Sequence, residues 1–164
     1  MFLIYGAVTR KIQCTVCRIV AACLVRALRF LSWRDSHIQA EAKAWPSEKR
    51  LRLETPDGTA FTIVGTQDGF VSLTSAADAD VIIRFKSPAD AFRVFTGQIS
   101  VAQAYAQHRF VLKGDMSLAM PFVRCVDRAE GYLFPKFMAR RILKRLPQKE
   151  VAVPRVYAAA LFGR

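Results

Sequence analysis

Two hydrophobic periods divide the chain. Over residues 10–33 apolar positions recur at helical spacing. Val16, Val20, Leu24, Ala27 and Leu31 share one side, and Lys11, Thr15, Arg18, Ala22, Arg26 and Arg29 share the other. This pattern predicts a basic amphipathic helix, with Trp33 and Trp45 beyond its end and Pro46 closing the connection. From 48 to 86 the period becomes two. Leu51 and Leu53 alternate with Arg50 and Arg52, and residues 61–64, 70–73 and 81–85 read as three further strands. Pro56-Asp57-Gly58 and Gln67-Asp68-Gly69 are turn signals, and the short connections predict an antiparallel meander.

The helical period then returns. Ser87 followed by Pro88 predicts a helix start carrying Phe92 and Phe95 and ending at Gly97. A short helix over 101–106 leads to a fifth strand at 108–113, which meets the next helix through Gly114-Asp115, with Asp115 as N-cap. Met116, Ala119, Met120, Val123 and Val126 form that helix's expected apolar stripe, and Pro121 should kink or shorten it. A last helix over 135–146 sets Phe134, Met138, Ile142 and Leu146 against Lys136, Arg140, Arg141, Lys144 and Arg145; residues 147–164 read as a loosely held tail. The fold class is α+β, a five-stranded, mainly antiparallel sheet covered on one face by helices. Three segments follow: a basic helix and linker (1–46), a central domain (47–134) and a basic helix and tail (135–164).

Charge sharpens this division. Of the net +12, residues 1–52 supply +7 and residues 135–164 supply +7, while 53–134 carry −2. Basic ends around a near-neutral centre favour anionic partners. The basic residues fall on amphipathic helices without acids, beside tryptophan. That is the composition of an interfacial helix, where each cation near an anionic surface contributes about 1 kcal/mol. Lys11, Arg18, Arg26, Arg29, Trp33, Arg140, Arg141, Lys144 and Arg145 are therefore the expected membrane-docking residues. Nucleic-acid binding would interleave aromatics with the charges, whereas here the aromatics concentrate on core-facing helices. A nucleic-acid- or protein-binding adaptor without a lipid cavity is the competing reading.

Chemistry-bearing motifs are sparse. His37 and His108 are the two histidines, and glycine-rich phosphate loops, nucleophile elbows and metalloprotease motifs are missing. The expectation is no enzyme, no cofactor and no metal. Cys14, Cys17 and Cys23 continue a helical apolar pattern and read as small hydrophobes, not as half of a zinc site. The apolar residues 1–8 precede the first positive charges, unlike a signal peptide, and no apolar run approaches the ~20 residues that span a bilayer. The expected location is cytoplasmic and peripheral to a membrane. Twelve phenylalanines against four tyrosines suit a dry interior, and the pliable methionines after Asp115 suit a cavity of variable contents.

Three stretches carry a resemblance, of which the meander at 50–74 fits in order of elements alone. "ADADVIIRFKSPADAFRVFTGQIS" and "VAQAYAQHRFVLKGDMSLAM" resemble the strand, serine-led helix, glycine turn, short helix, last strand and Gly-Asp junction of the sterol carrier protein (type two) lipid-binding family, over roughly 51–130. Gly97-Gln98-Ile99 departs from that family's more glycine- and lysine-rich turn. The resemblance implies a hydrophobic tunnel between sheet and helices for acyl, sterol-like or isoprenoid lipids. By position, Phe92, Phe95, Tyr105, Phe110, Leu112, Met116, Met120 and Val123 would line it. The basic N-terminal helix also resembles bacterial members that are accessory factors of ubiquinone synthesis, implying presentation of ubiquinone precursors to lipid-modifying enzymes. The expected function is that of a non-catalytic lipid carrier with a lipid or isoprenoid ligand and an anionic membrane surface as partners.

Overall fold

The structure, a computed structural model, describes residues 2–46, 48–55, 57–58, 60–66, 69–73, 78–143 and 145–163, with side chains from Thr9 onward except 72–73. Among the described residues, seven helices and five strands follow in the order α1 (Phe2–Leu31), α2 (Ser36–Ala44), β1 (Arg50–Glu54), β2 (Ala60–Thr66), β3 (Gly69–Leu73), β4 (Val81–Phe85), α3 (Pro88–Phe95), α4 (Val101–Ala106), β5 (Phe110–Gly114), α5 (Met116–Leu133), α6 (Lys136–Ile142) and α7 (Val153–Phe162).

The strands form one sheet in the order β3-β2-β1-β4-β5. Three pairings are antiparallel, but β4 lies parallel to β1, with Leu51 opposite Val81 and Leu53 opposite Ile83. The expected meander therefore holds only through β3. The interval between β3 and β4 is longer in sequence than hairpin loops of 2–5 residues, and β4 lies on the far side of β1 from β2. There the nearly continuous apolar strand Val81–Phe85 gains neighbours on both edges, which suits a central position. Asp80 fixes the crossing, accepting from Lys49 Nζ (2.6 Å) and from the Arg50 backbone N–H (2.9 Å) at the start of β1.

One face of the sheet is apolar and buried: Leu51, Leu53, Ile63, Val81, Ile83, Phe85 and Phe110. The other is charged, with Glu54 paired to Arg52 and Arg84. Helices cover the apolar face. α1 buries Cys17, Ala21, Leu24, Ala27, Leu28 and Leu31, joining the strand residues in one core. Its phase agrees with the sequence pattern, and its basic positions 11, 18, 26 and 29 face solvent. Trp45 is buried instead of interfacial. Its ring packs edge-on to Phe70 (5.9 Å) and over Gly65, where an added Cβ would meet the indole at 2.5 Å.

α5 corrects two expectations. It runs through Pro121 unbroken, since a proline in the second turn forfeits one backbone hydrogen bond while packing of Ala119, Phe122, Cys125, Val126 and Ala129 holds the helix. That buried face is also rotated from the expected stripe: Met116 and Met120 are 40% and 44% exposed. The fully buried Ala119 and Ala129 set the phase, because small side chains let the helix approach its neighbours closely.

The Gly-Asp junction is architectural. Gly114 has φ +101°, and a Cβ there would stand 2.0 Å from the Asp80 carbonyl oxygen. Asp115 caps α5, its Oδ1 accepting from the Ser117 N–H (2.8 Å), and these hydrogen bonds from Ser117 hold its carboxyl below the usual range. Gly114→Ala is expected to cost about 2 kcal/mol through strain and overpacking, and Asp115→Ala to lower stability by loss of the cap. Urea unfolding midpoints would check both, with m unchanged.

Residues 147–164 do not trail. α7 packs along α1 and buries Val156, Ala159 and Ala160. The segment before it is tied down by a buried carboxylate, Asp35, which also caps α2. Asp35 Oδ1 accepts from the His37 and Ile38 N–H groups (3.2 Å each) and from Arg128 Nε (2.5 Å); Oδ2 accepts from Tyr132 Oη (2.7 Å). Tyr132 Oη in turn accepts from the Glu150 N–H (2.8 Å), while the Glu150 carboxylate takes hydrogen bonds from Ser36 and Arg128.

Candidate functional site

Among the described residues, three cavities in the helical layer bear on a candidate site. The largest, about 510 Å³, lies between α2, the middle of α5 and the chain after α6, and is lined by His37, Glu41, Arg124, Asp127, Arg128 and Arg145 among others. Its Arg124 and Arg128 are already paired, with Glu41 (2.6 and 2.8 Å) and with Asp35 and Glu150. Ile38, Ala102, Ile142, Leu143 and Pro147 share its wall, so the lining is mixed, with apolar surface beside the charged groups.

The second cavity has a different character. About 180 Å³ in volume, it is enclosed by Val20, Cys23 and Leu24 of α1, Phe95 of α3, Glu130 and Leu133 of α5 with Phe134 at its end, and Tyr157, Ala160 and Leu161 of α7. Nearly all of this lining is hydrocarbon or aromatic. The mouth lies at α7, where Leu161 is 58% exposed and Tyr157 also reaches solvent. The exception to the apolar lining is Glu130. Its carboxyl is buried, and Oε2 is sealed from solvent with no hydrogen-bond partner among the described residues. Burial, and secondarily the charge of Asp127, push Glu130 up to about 8. The group is then mostly a neutral acid near neutral pH, able to donate a hydrogen bond.

A third hollow, about 190 Å³, is a basic groove lined by Arg26, Arg29, Phe30, Trp33 and Arg34 with Ala159 and Gly163 of the C-terminal helix end. Trp33 is 57% exposed, and the Arg34 guanidinium stacks 4.2 Å over Phe30. Groove and apolar mouth adjoin, since Arg26 Nη1 donates to the Leu161 carbonyl (3.4 Å).

Of the eight residues expected to line a pocket, Phe95 alone reaches the apolar cavity. Phe95 and Phe110 pack on Phe85 in the core (5.3 and 5.6 Å), and Tyr105 flanks Phe110 (5.7 Å) from a half-open position. Phe92, Leu112 and Val123 are half-buried, and Met116 and Met120 lie on the outer side of α5. The sheet-to-helix interface is filled by the core, and no strand residue lines the apolar cavity. The sequence held one unused signal: Phe122, Val126 and Glu130 share one helical line, and a carboxylate on an apolar line is a marked position.

Among the expected docking residues, Lys11, Arg18, Arg26 and Arg29 are exposed along α1, and Arg140 and Arg141 at the end of α6; Arg145 is exposed beside the polar cleft. Lys144 lies outside the described residues. All four cysteines are free thiols. Cys17 and Cys125 are buried and burial pushes them to about 11 and about 12, so they are unreactive. Among the described residues no helix is long and apolar enough to cross a membrane.

Residues 29–127 match the family model described as the SCP-2 sterol transfer family. The chain belongs to that family. Among solved structures it is similar to a UbiJ-SCP2 ubiquinone synthesis protein (20% identity, 63% of this chain and 89% of that one, TM-score 0.49). It is also similar to the sterol carrier protein domain 2 of Helicoverpa armigera (17%, 74% and 89%, 0.45) and to palmitated SCP2L2 from Aedes aegypti (16%, 63% and 91%, 0.41). No curated protein matches the chain in sequence. The SCP-2 match covers the sheet, α2, α3, α4 and the first two-thirds of α5. Of the residues around the apolar cavity, it includes Phe95 and none of the others. Apart from Phe95, the cavity is built by residues on either side of the matched segment.

Proposed function

We propose that the chain is a non-catalytic lipid carrier that docks on anionic membranes through α1 and α7 and holds an acyl, sterol-like or isoprenoid/quinone lipid in its helical layer. One observation carries the reading: the apolar cavity and the basic groove share α1 and α7, so the mouth opens beside the cations. Arg26, Arg29 and Arg34 would meet lipid headgroups, while Trp33, Ile19, Leu161 and the 77% exposed Phe162 stand ready to enter the interface. In this position the carrier presents its lipid, ubiquinone precursors included, to membrane-associated modifying enzymes.

Arg26→Glu/Arg29→Glu is expected to weaken binding to phosphatidylglycerol-containing vesicles by roughly 30-fold or more, from about 1 kcal/mol per cation removed, while unfolding is little changed. Co-sedimentation with anionic and neutral vesicles tests this. Equal binding to both kinds would remove the docking reading, and tight RNA binding with a steep salt slope would favour the adaptor instead. Native mass spectrometry of gently purified protein tests the cargo. Consistently empty protein that takes up no fluorescent fatty acid or quinone would sink the carrier reading.

A further inference from the structure

An unpartnered carboxyl is an unusual lining for a lipid cavity. Hydrocarbon needs no polar contact, and a buried polar atom without a partner is costly to keep. Glu130 nevertheless lines the apolar cavity, and its Oε2 is buried with no hydrogen-bond partner among the described residues. The remaining polar capacity facing it is small. Cys23 on α1 is a weak donor, Phe95 is all that α3 offers, and Tyr157 on α7 spends its hydroxyl on the Leu133 carbonyl. No Lys, Arg or His lines the cavity, and Asp127 stands close by on α5. An anionic headgroup would find acids and no cation there.

We propose that Glu130 is the polar anchor of this cavity, its carboxylic O–H donating a hydrogen bond to a carbonyl, quinone or phenol oxygen of an otherwise apolar lipid. The inference rests on the carrier reading and narrows its cargo to uncharged, oxygen-bearing lipids, against fatty-acid anions and plain hydrocarbons. Volume agrees with an anchoring role. At about 180 Å³ the space is below the ~300–1,000 Å³ that encloses drug-sized ligands. It takes one end of a lipid, a substituted ring or a terminal unit, and the rest leaves through the mouth between Tyr157 and Leu161, beside the basic groove. The anchor lies three residues beyond the SCP-2 match.

Four probes with one tail isolate the headgroup: decyl-1,4-benzoquinone, 4-decylphenol, decylbenzene and decanoate, titrated at pH 7 into the delipidated full chain. Protection of the half-buried Cys23 from a maleimide reports occupancy of this cavity, and Cys14 serves as internal control. Wild type should bind quinone and phenol at least tenfold tighter than decylbenzene or decanoate. Glu130→Leu should lose roughly tenfold for the two oxygen-bearing probes and none for decylbenzene. Glu130→Gln, which retains an N–H donor, should stay within about threefold of wild type. Infrared spectra should show a protonated-carboxyl band that is absent in Glu130→Gln and moves when quinone is added. Unchanged quinone affinity in Glu130→Leu, or decanoate bound as tightly as quinone, overturns the anchor and leaves the carrier intact. Failure of all four probes to protect Cys23 also overturns it, and the carrier reading falls with it when native mass spectrometry finds no lipid.

Discussion

Asp35→Ala should be the most damaging single substitution outside the apolar core, costing about 3–5 kcal/mol. The carboxylate is fully buried and satisfies partners on three segments: the α2 N-terminus, Arg128 and Tyr132 of α5, and through Tyr132 the Glu150 backbone. Its loss leaves a largely buried guanidinium with Glu150 as its remaining charge partner. Against a total of about 5–15 kcal/mol for a domain, much of the folded margin would go. Asp35→Asn keeps the cap but drops the charge, and Tyr132→Phe removes one donor and one acceptor at about 1–3 kcal/mol. The pH dependence has a definite sign. Burial acts to raise the Asp35 carboxyl, but hydrogen bonds from Arg128, Tyr132 and the Ile38 N–H outweigh it and hold the group below the usual range. The stability it contributes is present above the ordinary carboxylate value and is lost as pH falls through the lower folded value. Urea titrations at pH 7 and pH 3 should show Asp35→Asn losing less on acidification than wild type. Parallel losses would mean that the ion pair is not formed in solution.

The strands were legible because alternation over 50–54 and 81–85 shows directly which side chains enter the core. The α3 start was legible because Ser87 and Pro88 suffice locally; Ser87 Oγ indeed accepts from the Asp90 N–H (3.1 Å). The Gly-Asp junction was legible for the same reason. What stayed hidden depends on partners distant in sequence. α2 is short, and its cap gains strength from Arg128 and Tyr132, 93 and 97 residues away. α7 is held by packing on α1 and by the strap at Glu150, neither visible in a window along the chain. The β3-to-β4 crossing follows from what β4 gains by pairing on both edges, a property of the finished sheet. The phase of α5 was misread because bulky methionines outweigh alanines in a hydrophobicity count, whereas close helix packing prefers the alanines. The apolar cavity escaped because its walls come from four helices, joining Val20 to Leu161. Family likeness could not supply it either, since the SCP-2 match ends at residue 127.

Glu130→Gln should stabilise the empty protein by about 3 kcal/mol at pH 7, a Tm rise of roughly 6–12 °C for a chain of this length. The argument is a linkage between Glu130 ionisation and folding. The ordinary value is 4.5 and the folded value about 8. Below pH 4.5 the carboxyl is protonated in both folded and unfolded chains, and the substitution changes little. Between the two values the unfolded chain releases its proton while the folded one retains it, so wild type loses about 1.4 kcal/mol per pH unit. Above about 8 both forms are ionised and the loss levels off. Glutamine keeps the shape without titrating, so the gap between variant and wild type should open from pH 4 upward and plateau near pH 9. Calorimetry at pH 4, 7 and 9 reads this directly. A less stable variant at pH 7 would show that Glu130 is ionised and paired in solution, and a constant gap that its carboxyl titrates at its ordinary value. Asp35 lowers stability on the acid side and Glu130 on the alkaline side, which puts the maximum from these two groups near pH 4. The cost is largest where Glu130 is buried without a partner, so an oxygen-bearing lipid that accepts its hydrogen bond should raise the wild-type Tm more than that of Glu130→Leu.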